Sequence, residues 1–145
     1  MSAARRTGLA VLGALLMAGS GLADGYVAPP HGGFAPVTVD LKNESPRAMR
    51  CVVLLAHFVT RTPDPVASGG EVSLMFERQP GSGVLAYGSH AGSPMLVENL
   101  LCGADHDWDG TRADIPLTTI RSGNASAYVV TCRLEGRVVC SVEPE

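Results

Sequence analysis

The densest group of candidate metal ligands in this chain is the ten-residue stretch DHDWDGTRAD. Three of its aspartates alternate, a glycine follows the third, and a fourth aspartate closes the stretch. Carboxylate oxygens are ligands that Ca²⁺ prefers, and a glycine permits the sharp turn of a calcium-binding loop. The sequence therefore predicts a calcium site. Its ligands would be Asp105, Asp107, Asp109, the backbone carbonyl of Thr111, and Asp114.

The stretch resembles the D-x-D-x-D-G class of calcium loops over these ten residues. Its first half follows the EF-hand pattern, with aspartates at positions 1, 3 and 5 and a glycine at position 6. The second half departs from that pattern, because Ala113 stands at position 9 and Pro116 at position 12. The alternative interpretation is an acidic connector between strands. In that case one aspartate caps backbone N–H groups, and Arg112 neutralises Asp105 or Asp114.

Histidine and methionine side chains suggest a second hypothesis, which is copper binding in an oxidising compartment. The candidates are His31, His57, His90, His106, Met49, Met75 and Met95. They are scattered, so a copper site would need ligands from several segments, and convergence of His57, His90 and Met95 would favour it. His57 lies in the most apolar segment, where a buried, hydrogen-bonded histidine is the commoner expectation.

Motifs for catalysis are weak or missing in the sequence. GSGVLA fits G-x-G-x-x-A, but no helical pattern follows it, and the chain has neither G-x-S-x-G nor H-E-x-x-H. Aromatic residues make up only 5% of the chain, which is few for a platform that stacks sugars. We therefore expect a protein that is not an enzyme.

The N-terminus has the pattern of a secretory signal peptide, with Arg5 and Arg6 before the apolar run GLAVLGALLMAG and small residues after it. The apolar run is short for a membrane span, and no second long one follows. We expect a signal peptide over residues 1–23, a Pro- and Gly-rich arm over 24–36, and one domain over 37–145. The alternative is an uncleaved membrane anchor. With the peptide removed, the mature chain would have no membrane span and would be periplasmic or secreted.

The cysteines predict disulfide bonds, because an exported protein with an even number of cysteines usually pairs them. They are Cys51, Cys102, Cys132 and Cys140. The segments AYVVTCRL and RVVCSV form a predicted hairpin with Glu135 and Gly136 at its tip, which makes a bridge Cys132–Cys140 possible and leaves Cys51 with Cys102. The pairing Cys51–Cys132, which would link two core strands, stays open.

Seven or eight short apolar or alternating segments, among them MRCVVLLAHFVT and IPLTTI, are separated by turns and predict an all-β fold. MRCVVLLAHFVT is apolar on both faces, which favours a central strand covered on both sides. We expect a small two-sheet β-sandwich with two disulfides. It resembles immunoglobulin domains in architecture only, because Tyr128 precedes Cys132 by four residues instead of two.

Charge and fold together predict a binding or accessory module. The formal net charge is −3 and no basic stripe occurs, so nucleic acid is a poor candidate partner. The partner would be another exported or envelope protein. The loops at one end of the sandwich would bind it, including an acidic stretch stabilised by calcium. A periplasmic copper-binding protein is the alternative.

Overall fold

The computed structural model describes residues 33–88 and 94–145. The predicted signal peptide, most of the predicted arm, His31 and His90 lie outside the described residues. The described residues form a mostly β protein, as the sequence predicts. The strands are β1 (Ala35–Asn43), β2 (Met49–Leu55), β3 (Val59–Arg61), β4 (Glu71–Arg78), β5 (Leu85–Tyr87), β6 (Met95–Ala104), β7 (Ala113–Asp114), β8 (Ala127–Glu135) and β9 (Arg137–Pro144).

Helical structure is confined to short pieces. The helices are α1 (Trp108–Thr111) and α2 (Thr118–Ser122), and two 3-10 turns cover Ala56–Phe58 and Asp105–Asp107. Within residues 33–88 and 94–145, no helix has the length and apolar character needed to cross a membrane.

The strands form one mixed sheet in the order β3-β2-β6-β5-β4-β1-β8-β9, with β7 paired to β6. Neighbouring strands are antiparallel, except that β1 and β8 are parallel. β5, a strand of three residues, joins a half made of β3, β2 and β6 to a half made of β4, β1, β8 and β9. The immunoglobulin-like arrangement of two separate sheets is therefore not confirmed.

One face of this sheet is buried. Alternate residues of a strand point to opposite faces, and in β1 the side chains of Val37, Val39 and Leu41 are buried. Both halves of the sheet contribute to a single core, which includes Phe76 from β4 and Leu100 from β6. β9, at one end of the strand order, lies within 8 Å of β6 and β7 between Cα atoms. The sheet therefore curls round its own apolar face.

Two predicted strands differ from the structure. β2 ends at Leu55 instead of continuing past His57, because the chain turns at Ala56–Phe58 and returns as β3. His57 is consequently exposed, and its expected burial was wrong. The segment IPLTTI does not form a strand. Its last three residues begin α2, and the helical turn buries Ile120 in the core.

The disulfides are Cys51–Cys102 and Cys132–Cys140, and the alternative Cys51–Cys132 is not formed. Each bridge joins residues directly opposite on neighbouring antiparallel strands, with 4.1 Å between the Cα atoms. The β8–β9 hairpin aligns its two cysteines because Gly136, with a φ of 78°, forms the tip between the paired residues Glu135 and Arg137. Two structural disulfides are typical of a protein outside the reducing cytoplasm.

The two bridges are expected to stabilise the fold unequally. Cys51–Cys102 joins residues 51 positions apart, and Cys132–Cys140 joins residues 8 apart. The chain-entropy relation gives about 4 kcal/mol for the longer loop and about 2.5 kcal/mol for the shorter one. Replacing each pair by alanines should lower the free energy of unfolding in that order, measured by urea denaturation. An equal or reversed loss would contradict this account.

Candidate functional site

The acidic stretch forms a capped helical turn. The Oδ1 atom of Asp107 accepts a hydrogen bond of 3.1 Å from the backbone N–H of Gly110, so Asp107 is the N-cap of α1. A side chain at position 110 would overlap the Asp107 carboxylate, since an added Cβ would lie 2.6 Å from its Oδ2 atom. Asp107 and Gly110, two residues of the predicted calcium motif, therefore both have a structural role in this turn.

The other three aspartates contact three different side chains. Asp105 faces Arg50, Asp109 forms an ion pair with Arg112, and Asp114 accepts a hydrogen bond from Asn99. Among the described residues, no three His, Cys, Asp or Glu side chains lie close enough together to hold a metal ion. These contacts favour the connector interpretation, with Arg112 neutralising Asp109 instead of Asp105 or Asp114. Calcium binding stays a prediction without support from this geometry.

Thr111 and Trp108 attach the acidic stretch to β6. The Thr111 hydroxyl accepts a hydrogen bond of 2.8 Å from the backbone N–H of Ala104 and donates to the carbonyl of Asp107. The Trp108 ring packs on Gly103, where an added Cβ would lie 2.8 Å from the ring. The guanidinium carbon of Arg50 lies 4.8 Å from the Trp108 ring centroid, which is cation–π distance. The acidic stretch therefore packs over the C-terminal end of β6.

The candidate copper ligands are on separate elements. Met49 is buried in β2, Met75 is exposed on β4, Met95 begins β6, and His106 is exposed in the acidic stretch. The convergence of His57, His90 and Met95 stays a prediction, because His90 lies outside the described residues. No described contact supports the copper hypothesis.

An aromatic side chain protrudes at the turn between β2 and β3. His57 and Phe58 both have a φ of 61°, in the left-handed region that costs about 1–2 kcal/mol for a residue with a side chain. Phe58 is 95% exposed, so its burial does not offset that cost. Leu96, 50% exposed, lines a shallow cleft of 320 Å³ together with Ala56 of the same turn. We call His57, Phe58 and Leu96 the Phe58 surface.

A buried cation lies at the end of β4. Arg78 is 7% exposed and donates hydrogen bonds to the carbonyls of Ile120 (2.8 Å) and Ala125 (2.9 Å). It also donates to the Tyr128 hydroxyl oxygen at 3.0 Å. Among the described residues, no carboxylate lies within 4.0 Å of Arg78. Its positive charge is therefore compensated by these dipoles and by the Tyr128 ring, whose centroid lies 5.9 Å from the guanidinium carbon. A buried charge without an ionic partner has a desolvation cost of several kcal/mol.

Arg78 and Arg121 line a cleft of 660 Å³ between the β4–β5 turn and α2, which we call the arginine cleft. An Nη atom of Arg121 donates to the carbonyls of Val97 (2.9 Å) and Glu98 (3.1 Å). Its Nε atom is buried without a hydrogen-bond partner among the described residues. The lining residues include no aspartate or glutamate.

Two glycines, Gly83 and Gly123, permit close packing at the arginine cleft. Gly83, with a φ of 70°, packs against the carbonyl of Arg121, and an added Cβ there would overlap that oxygen. Gly123 leaves the space that the Tyr128 hydroxyl occupies beside Arg78. The β4–β5 turn and α2 are therefore held together by close backbone packing. Sequence patterns gave no indication of this site, because its parts are far apart in the chain.

Comparison with known proteins identifies no family for the chain. No protein-family model, curated protein or solved structure matches the chain. The function is therefore argued from the geometry of the chain itself.

The capping role of Asp107 predicts a difference between two aspartates of one stretch. Asp107→Ala should lower the free energy of unfolding by about 1 kcal/mol, because it removes the N-cap. Asp109→Ala should lower it by less than about 0.5 kcal/mol, because its ion pair with Arg112 is exposed. Urea denaturation followed by Trp108 fluorescence measures both. A calcium-dependent rise in Tm that both substitutions abolish would instead support the calcium site.

The hydrogen bond from Arg78 to the Tyr128 hydroxyl predicts that removing this hydroxyl destabilises the protein. Tyr128→Phe should lower the free energy of unfolding by about 1–3 kcal/mol, because it leaves a buried charged donor without its acceptor. Tyr87→Phe is the matched control. Tyr87 is half-buried against Phe76, and its hydroxyl has no hydrogen bond among the described residues. Equal losses in the two variants would contradict the role assigned to Arg78.

Proposed function

We propose that this protein is an exported, non-enzymatic β-domain that acts as a binding or accessory module through the Phe58 surface. The observation that carries the proposal is the combination of strain and exposure at Phe58. Backbone strain of this kind persists where the surrounding structure enforces it, and it clusters at functional sites. An aromatic side chain held away from its own core is suited to fill a pocket on a partner, since aromatic residues dominate the energetics of interfaces.

The proposed partner is another exported or envelope protein that offers an apolar pocket to Phe58. β3, which follows Phe58 directly, stands at the end of the strand order and, among residues 33–88 and 94–145, pairs with β2 alone. An edge strand has unpaired backbone groups that a partner strand or loop can use. We place this contact in the periplasm or the medium, as the predicted signal peptide and the two disulfides support.

We also propose that the curled sheet forms a two-layer sandwich. Its two halves share one core, and β9 comes close to β6 and β7 on the other half. In this arrangement the Phe58 surface lies beyond the C-terminal end of β2, and the acidic stretch lies beside the N-terminal end, where Met49 pairs with Ala104. The proposed binding surface is therefore at the end away from the acidic stretch.

Phe58→Gly should separate binding from stability. Glycine adopts a positive φ without strain, and this gain of about 1–2 kcal/mol outweighs the chain entropy of glycine, about 0.5–1 kcal/mol. We expect the free energy of unfolding to stay unchanged or rise, while binding weakens at least about tenfold, as for an aromatic hot spot. The partner is first captured with a photoreactive phenylalanine analogue at position 58, in cells that export the protein. Its affinity is then measured with purified proteins.

Val139 provides the matched control, because it is an exposed apolar residue on β9, at the other end of the strand order. The photoreactive analogue at position 139 should not capture the same partner, and Val139→Ala should leave its affinity unchanged. The proposal fails if position 58 captures no protein, if both positions capture the same proteins, or if Phe58→Gly binds as well as the original chain.

A further inference from the structure

The arginine cleft carries an excess of positive charge in an acidic protein. The chain as a whole has a formal net charge of −3, yet among the described residues the cleft is lined by two guanidinium groups and no carboxylate, and Glu98 lies in the adjoining cleft. Exposed arginines in such a protein readily find acidic partners, as Arg133 does with Glu44 and Arg112 with Asp109. Arg78 and Arg121 have carbonyl oxygens as acceptors instead. An anion bound in the cleft would supply the negative charge that the described lining residues do not provide.

The cleft is also built in advance of any ligand. Arg78 is nine-tenths buried and fixed by three acceptors from α2, the segment after it and β8. These acceptors take both N–H groups of one Nη atom and one of the other. Arg78 therefore contributes a positive charge that is fixed in place at the cleft, and charge-assisted hydrogen bonds to an oxyanion fall to Arg121. Arg121 stands opposite on α2 and is incompletely satisfied, because its buried Nε–H has no acceptor among the described residues.

A purely structural role explains only part of this arrangement. Arg78 fastens β4 to α2 and the segment after it through its carbonyl contacts, and Arg121 fastens α2 to β6 in the same way, which would stabilise the fold without any ligand. These contacts do not account for the buried Nε–H of Arg121 that has no acceptor among the described residues, nor for the open space of 660 Å³ between the β4–β5 turn and α2. The cleft contains no residue of the Phe58 surface, although Ser82, Gly83 and Arg121 also line the neighbouring 320 Å³ cleft beside Leu96. The two sites therefore adjoin, and the variants Arg121→Gln and Phe58→Gly test them separately.

From the two arginines, the missing carboxylates and the preformed cleft, we infer that the arginine cleft binds an oxyanion: the carboxylate or phosphate group of a small molecule. Arg78 is the buried positive end of the site, and Arg121 makes the direct contact from the opposite wall. The volume of the cleft leaves room for the rest of the small molecule beside its anionic group.

The test is a titration of the purified, disulfide-bonded protein, labelled with ¹⁵N and followed by NMR. Inorganic phosphate and acetate are added in separate series, against sodium chloride at equal ionic strength. We expect saturable shifts of the backbone amides in residues 79–83 and 118–124 and of the arginine Nε signals, with phosphate or acetate and not with chloride. The tighter of the two probes identifies the anionic group.

Arg121→Gln keeps the size of the side chain and removes its charge. It should weaken the binding of the tighter probe by about tenfold, the loss expected for one charge-assisted contact. Arg112→Gln is the matched control, because Arg112 is exposed and pairs with Asp109 outside the cleft. It should leave the affinity unchanged, as should Phe58→Gly. Absence of saturable shifts with both anions, or equal binding by the Arg121→Gln and original proteins, would overturn the inference.

Discussion

A single sheet with one apolar face has to cover that face with itself, and this constraint organises the rest of the fold. The strands of both halves direct their buried residues into one core, so the sheet curls round that core. β5 is the joint between the halves, and it is only three residues long. The remaining open side of the core is filled by Ile115, Leu117 and Ile120, from the segment that leads into α2. The position of α2, and with it the arginine cleft, therefore follows from the need to complete the core.

The disulfides support this arrangement inside each half and not across it. Cys51–Cys102 joins β2 to β6, and Cys132–Cys140 joins β8 to β9, so each bridge links neighbours that are already paired through their backbones. The contact between the halves depends instead on burial of apolar side chains and on α2, which is hydrogen-bonded to both halves. Arg78 of β4 donates to the carbonyl of Ile120 in α2, and Arg121 of α2 donates to the carbonyls of Val97 and Glu98 in β6.

Local patterns in the sequence predicted the strands better than their arrangement. Alternation in β1, β4 and β8 identifies the buried residues, because one-sided burial has a period of two along a strand. The pairing Cys132–Cys140 follows from the register of one hairpin, so it was accessible from the sequence. The parallel pairing of β1 with β8 was not accessible, because it joins segments about 90 residues apart through contacts that leave no local pattern. The turn at His57 and Phe58 also has no Gly, Pro or Asn to indicate it.

The same reasoning applies to the acidic stretch, for which the sequence alone leaves two interpretations open. Its composition fits calcium ligands and helix caps equally well, and the choice depends on Arg50 and Asn99, which come from β2 and β6. In the structure each aspartate of the stretch has a hydrogen-bond or ion-pair partner, so none of them needs a metal ion to balance its charge. Phe58 and the two arginines of the cleft are the opposite case. Phe58 is strained without compensating burial, and Arg78 is buried without a counter-ion in the part of the chain that the structure describes. Both features carry a cost that the fold does not offset, and natural proteins break such local rules chiefly at functional or strained sites. The two proposals rest on these uncompensated groups for that reason, whereas the acidic stretch offers residue types alone.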